Sequence, residues 1–157
     1  MVSGKNRTMR EGTRMATLER AIQIAASAHT GQVDKAGVPY ILHPIRVMLR
    51  MNTVDEMIVA VLHDVVEDSI WTVDDLLAEG FSEEIVEAVG VLTKLPDENR
   101  RDAAARVRQH PIARTVKLAD NAEDMDLTRI TNPTPRDYAR LREYEKVRAI
   151  LLRDGGK

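Results

Sequence analysis

The segment His63-Asp64-Val65-Val66-Glu67-Asp68 sets four ionisable side chains at the end of an apolar run that begins at Met57. Met57 to Leu62 read Met-Ile-Val-Ala-Val-Leu, apolar on every side, so a helix here belongs inside the protein. On a 3.6-residue period, His63 lies under Glu67 and Asp64 under Asp68, which puts all four on one strip. Unpaired buried charge is costly, so the strip needs compensation. Imidazole beside carboxylate is a mixed nitrogen–oxygen set suited to a metal ion. The other reading of the same six residues is a helix end emerging into solvent.

Further chemistry-bearing residues lie on either side. Leu18, Ala21, Ile22 and Ala25 recur at helical spacing, and His29 falls on their stripe. Taken alone, His29 reads as a satisfied core histidine. Gly31 to Tyr40 forms a polar loop broken by Gly31, Gly37 and Pro39, a natural place to meet a ligand. His43-Pro44 opens the next apolar stretch. Proline suits a first helical turn, and His43 would cap that helix or line a cavity, with the structural role favoured over ligation. Farther on, Lys117, Asp120 and Asp124 share one face of a helix that starts at His110-Pro111.

The elements that must position these groups are helices. Thr53-Val-Asp-Glu56 is a capping-box pattern just before the apolar run, and the central helix should extend to about Asp68-Ser69. Thr72-Val-Asp-Asp75 opens a short helix through Ala78, closed by Gly80. Ser82 caps another, with Ile85, Val86, Val89 and Leu92 on its apolar face. Lys94 to Arg108 is charge-rich and broken by Pro96, with a solvated helix in its second half. Thr134-Pro135 starts the last helix, which runs to about Arg153 with Tyr138, Leu141, Tyr144, Val147 and Leu151 facing inward. No strand-like alternation of any length occurs. The fold class is therefore all-α, a helical bundle of about seven to eight helices with an internal site.

Residues 15 to 153 form one domain by this reading. Residues 1 to 14, with Lys5, Arg7, Arg10 and Arg14 against one acid, read as a flexible leader, and residues 154 to 157 as a tail. Aromatic residues are only 3% of the chain, so aliphatic side chains must fill the core. A net charge of -2 and few aromatics argue against nucleic acid as a partner. The absence of cysteine excludes thiolate ligands, disulfides and cysteine nucleophiles. No apolar run reaches the roughly 20 residues of a membrane span, so a cytoplasmic location and no membrane partner are expected. Oligomeric state has no signature in the sequence.

His29-Thr-Gly31-Gln32, Lys35, Gly37, Pro39-Tyr40, His43-Pro44, His63-Asp64, Glu67-Asp68, Leu92-Thr93-Lys94 and Val116-Lys117-Leu118-Ala119-Asp120 occur in the order seen in HD-domain phosphohydrolases. Specifically, the chain resembles the RelA/SpoT-type hydrolase domain and its small stand-alone relatives, which remove pyrophosphate from the 3′ position of (p)ppGpp. The resemblance covers about Ala21 to Arg129. It implies an all-α HD fold and one divalent ion, manganese or another transition metal such as Fe2+. The ligands it implies are His29, His63, Asp64 and Asp120. By the same resemblance Glu67 and Asp68 are the catalytic carboxylates, which orient or deprotonate the attacking water. Lys35, Lys94, Lys117 and Asp124 are the candidate contacts to a small phosphorylated, nucleotide-like substrate.

Three features depart from that family. Asp34-Lys35 stands where the alarmone hydrolases carry Arg-Lys, with the arginine packed on guanine. Asp124 replaces a substrate-binding asparagine, trading a donor for an acceptor. The stretch after Lys94 lacks a tyrosine-rich basic segment. The resemblance thus implies a divalent-metal-dependent phosphohydrolase of a nucleotide-type phosphate or pyrophosphate ester, with (p)ppGpp one candidate. The alternative is a non-catalytic HD-fold nucleotide-binding or sensor module.

Overall fold

The protein is described by a computed structural model over residues 16–153, so the expected leader, Met15 and the tail with Gly155-Gly156 lie outside the described residues. The helices are α1 (Leu18–Ala28), α2 (Leu42–Leu49), α3 (Val54–Leu62), the single turn α4 (Val65–Asp68), α5 (Val73–Ala78), α6 (Glu83–Leu92), α7 (Arg100–Val107), α8 (Pro111–Asp124) and α9 (Pro135–Leu151). A 3-10 turn, Leu127–Arg129, follows α8. Among the described residues no strand forms, and an isolated bridge between Val33 and Pro39 pinches the loop after α1. The all-α expectation agrees with this architecture. Its count of helices agrees once α3 and α4 are taken as one interrupted helix.

The predicted starts occur where side-chain oxygens can satisfy the open amides of a first turn. Thr53, Thr72 and Thr134 each complete a capping box, with Glu56, Asp75 and Asp137 respectively. Ser82 accepts from the Ile85 amide, and His110 Nδ1 accepts from Ala113 with Pro111 in the first turn. α2 is different: Ile41 precedes it with no side-chain cap, so His43 does not cap this helix.

The apolar run becomes the centre of the bundle. Ile58, Val59, Ala60, Val61 and Leu62 are all buried, and α3 packs on α1, α2, α6 and α8. Fully burying a side chain of this size contributes about 1.5–3 kcal/mol, which is why a helix apolar on every side goes to the middle. α9 covers α7 and α8 and closes the far side. Its inner stripe holds Val147 and Leu151 buried, but Tyr138 is exposed, because α9 outruns the surface it packs on. In α1 the buried stripe is Ala21, Ile24 and Ala25.

The central helix is not continuous to Asp68. It stops at Leu62, because His63 Nδ1 donates to the Ala60 carbonyl at 2.6 Å and competes with the helical ladder. Asp64 then takes φ −105°, ψ 0°, between helix and extended conformations, and one more turn follows. This break turns His63 inward while Glu67 and Asp68 reach the surface.

Candidate metal centre and adjoining cavities

α1, α2, α3 and α8 each deliver one imidazole or carboxylate to the same place. His29, His43, His63 and Asp120 are all buried, and Asp64 is half-buried. Among the described residues, one possible ligand atom each from His43, His63 and Asp120 lies within 4.8 Å of the other two. His29 and Asp64 border that group without belonging to it. Tyr40 connects them: its ring centroid lies 5.0 Å from that of His29 and 5.5 Å from that of His43, and its hydroxyl donates to Asp64 Oδ2.

The hydrogen bonds distinguish the three histidines. Gln32 Nε2 donates to the Ala28 and Asp68 carbonyls at 3.2 and 3.0 Å, so Gln32 Oε1 must be the acceptor facing His29 Nδ1, 2.8 Å away. That puts the proton on Nδ1 and leaves His29 Nε2 as a buried lone pair without a partner. His63 is arranged the same way. Nδ1 donates to Ala60, and Nε2 is buried without a hydrogen bond, lying 3.1 Å from Asp64 Oδ2 and 3.4 Å from Asp120 Oδ1. His43 instead spends Nε2 on Asp120 Oδ1 at 2.7 Å. Sequence reasoning favoured an ordinary structural role for His43. The structure makes it a buried part of the site, lining both of the cavities described below.

The electrostatics favour positive charge at this centre. Burial opposes charge on His63, yet the Asp64 and Asp120 carboxylates outweigh it and raise the imidazole well above its ordinary value. Burial likewise works against Asp64, but His63 and the Tyr40 hydroxyl hold it down to about 2. Asp120 is held well below the usual carboxylate range, against its burial, by Lys117, His43 and His63. Lys117 Nζ donates to Asp120 Oδ2 at 2.9 Å, and Asp120 raises the ammonium in turn. Without a metal, positive charge on His63 must separate the two carboxylates. With an ion in place of that proton, His29 Nε2 and His63 Nε2 beside two carboxylates are a donor set that fits a divalent ion of intermediate hardness.

Two cavities open from this centre. The inner one, about 660 Å³, is lined by His63, Asp64, Glu67, Asp68, Lys94, Lys117, Asp120 and Asn121 among others. The outer one, about 400 Å³, lies between the Gly31–Tyr40 loop, the Leu127–Arg129 turn and α9. Tyr40, His43, Arg100, Asp124 and Tyr144 line both.

Glu67 accepts from the Lys94 amide at 2.9 Å, and burial together with Asp64 and Glu67 pushes Asp68 up from its usual value. Lys35 reaches the outer cavity, where burial and Arg140 lower its ammonium. Asp124 is pushed up to about 7 by burial and by Asp120. Asp34 caps its own loop, accepting from the Ala36 and Val38 amides, and pairs with Arg129 at 3.1 Å. Sequence reasoning missed Arg129 in that role, along with Glu123, which is buried and held by Arg46 and Arg50 at 2.9 and 2.6 Å. Arg46 on α2 and Arg50 just past its end, four residues apart, carried the available signal for the second of these.

A family description of the HD domain matches residues 21–140, and the chain belongs to that family. It is 34% identical over 122 residues to the guanosine-3′,5′-bis(diphosphate) 3′-pyrophosphohydrolase of Vibrio cholerae, a match covering 69% of this chain and 17% of that protein. It is 29% identical over 151 residues to a probable GTP pyrophosphokinase of Mycobacterium leprae, covering 87% of this chain and 19% of that one. The chain thus spans less than a fifth of the length of these curated relatives. A solved chain from work described as "A metazoan ortholog of SpoT hydrolyzes ppGpp and plays a role in starvation responses" shares the fold, with a TM-score of 0.73, 22% identity, and coverage of 90% of this chain and 88% of that one. No helix among the described residues is long and apolar enough to cross a membrane.

Proposed function

We propose that the protein is a divalent-metal-dependent phosphohydrolase of nucleotide-type phosphate or pyrophosphate esters, with the 3′-pyrophosphate of (p)ppGpp the first candidate substrate. The observation that carries this reading is the pair of buried, unpartnered nitrogens, His29 Nε2 and His63 Nε2, beside Asp64 and Asp120. These four residues would hold the ion, manganese or a similar metal. His43 would donate to Asp120 and fix its orientation. When bound, the ion supplies Lewis-acid polarisation of a phosphoryl oxygen and a lowered pKa for an attacking water. Asp68 and Glu67, one turn past the His-Asp pair, would orient an attacking water or, one of them, take its proton; burial, Asp64 and Glu67 push the Asp68 carboxyl up from its usual value, the direction a proton acceptor needs. Lys35 and Lys94 reach cavity walls as phosphate contacts, while Lys117 acts through Asp120. The names of the relatives support this choice of substrate.

A second reading, an HD-fold nucleotide-binding or sensor module, draws on Glu67 held by the Lys94 amide and Asp34 held by Arg129. Manganese-loaded protein assayed on ppGpp, NADPH, nucleoside phosphates and 3′-phosphorylated nucleotides decides between them. Phosphate or pyrophosphate release that His63→Ala abolishes supports the enzyme. No release from any of these by metal-loaded protein, with nucleotide binding retained, supports the module.

A further inference from the structure

The connection between α6 and α7, residues 93–99, forms one wall of the inner cavity through Lys94, Leu95, Pro96 and Asp97. All four are exposed, and Asp97 takes φ 63°, a left-handed conformation that a non-glycine residue keeps where its surroundings impose it. An exposed connection of this kind is ordinarily mobile. Here one side chain that lines neither cavity ties it down. Arg106, near the end of α7, donates from Nη1 to the Val91 carbonyl at 2.7 Å and from Nη2 to the Thr93 carbonyl at 3.2 Å, two carbonyls at the open end of α6. Its Nε and Nη2 also donate to the two oxygens of Glu98, at 3.1 and 2.9 Å. Glu98 Oε1 accepts in turn from the Leu95 amide at 3.0 Å, which closes the segment on itself.

The segment so held carries Lys94. Its amide donates to Glu67 Oε1 at 2.9 Å, so one stretch of backbone sets both a carboxylate beside the metal centre and a cation on the cavity wall. The planar guanidinium can join two carbonyls and both oxygens of a carboxylate at once, whereas a lysine ammonium is a point charge that cannot span them. We propose that Arg106 is a positioning residue of this site: with Glu98 it fixes residues 93–99 so that Lys94 stays at the cavity wall to meet a phosphate group and the Lys94 amide orients Glu67. The inference rests on the phosphohydrolase reading, in which Lys94 contacts phosphate and Glu67 acts on the attacking water, and it adds a residue that touches neither substrate nor ion.

The test uses the full chain loaded with manganese, with guanosine 3′,5′-bisphosphate as the probe and calorimetry for its dissociation constant. Arg106→Lys should weaken binding of the probe about tenfold or more, because a phosphate contact displaced by a fraction of an ångström to an ångström loses most of its effect. Manganese affinity, read by competition with a fluorescent chelator, should stay within about twofold, since neither Lys94 nor Glu67 is a proposed ligand; a general loss of structure would lower both. Lys94→Ala should weaken the probe to a similar extent, and the double variant should be no more than about twofold weaker than the worse single one. Glu98→Gln keeps the shape and the acceptor for Leu95 but halves the charge pairing, so it should give about a threefold loss and serves if Arg106→Lys folds poorly. Probe affinity within about twofold of wild type in both the Arg106 and Glu98 variants, additive losses in the double variant, manganese affinity falling in step, or no binding of the probe by wild type overturns the inference. Turnover of ppGpp is scored separately. Hydrolysis with unaltered binding in Arg106→Lys defeats only the positioning claim, and the binding changes without hydrolysis defeat only the enzyme claim.

Discussion

Gln32→Ala should weaken divalent-metal binding although Gln32 is not itself among the proposed ligands. Gln32 Oε1 accepts from His29 Nδ1 at 2.8 Å, while its Nε2 ties the Ala28 and Asp68 carbonyls together. Without that acceptor, the imidazole proton is free to move to Nε2, the nitrogen proposed to bind the ion. Loss of such a supporting partner typically costs 10–100-fold in metal affinity, or about 1.4–2.7 kcal/mol. Gln32→Glu is the control. A carboxylate keeps the acceptor for His29 but cannot donate to the two carbonyls, so manganese affinity should stay within about threefold of wild type while the loop loosens. Competition with a fluorescent chelator measures both affinities, and circular dichroism checks that both variants fold. An affinity for Gln32→Ala within about twofold of wild type, or equal losses in the two variants, would refute the reasoning.

His63→Ala should abolish stoichiometric manganese binding and leave Asp64 and Asp120 unseparated, costing about 3–5 kcal/mol of unfolding free energy in urea titrations. Asp124 gives a pH signature in protein stripped by a chelator. Its folded value of about 7 lies above the ordinary 3.8, so the folded state holds the proton and stability falls as pH rises between the two values. Asp124→Asn should therefore match wild type near pH 4 and exceed it at pH 8 by about 1–2 kcal/mol, well under the ceiling of about 4 set by the shift; a difference independent of pH would contradict this. Thr53→Ala removes the α3 capping box and should cost about 1 kcal/mol by chemical denaturation. Asp34→Ala should cost more than Arg129→Ala, because Asp34 also caps two loop amides whereas the exposed ion pair alone contributes under about 1 kcal/mol.

The parts of the fold that were legible in the sequence are local. Capping needs only a side-chain oxygen a few residues from an open amide, so Thr53, Thr72, Ser82 and Thr134 announce their helices without knowledge of the rest of the chain. The apolar run from Met57 to Leu62 announces its own burial. Long-range pairings were not legible. His43 meets Asp120 across 77 residues, and a histidine before proline at a helix start has a sufficient steric explanation of its own. Glu123 finds Arg46 across the same separation, and Asp34 finds Arg129 across 95 residues. The break at His63-Asp64 escaped helical periodicity because its cause is a side chain competing for a backbone carbonyl. Among the proposed ligands, the His63-Asp64 pair could be read from spacing, whereas His29 and Asp120 entered through the family resemblance. Tyr138 shows the converse limit: a correct stripe does not say where the surface beneath it ends.

The central claim is that a divalent ion sits among His29, His63, Asp64 and Asp120. Crystals soaked in manganese, with an anomalous difference map calculated at the manganese edge, test it most directly. The account predicts one strong peak within about 2.0–2.3 Å of His29 Nε2, His63 Nε2 and one oxygen each of Asp64 and Asp120, with His43 outside the ligand set. A peak bound by His43 in place of His29, or no peak with the protein intact, would contradict it.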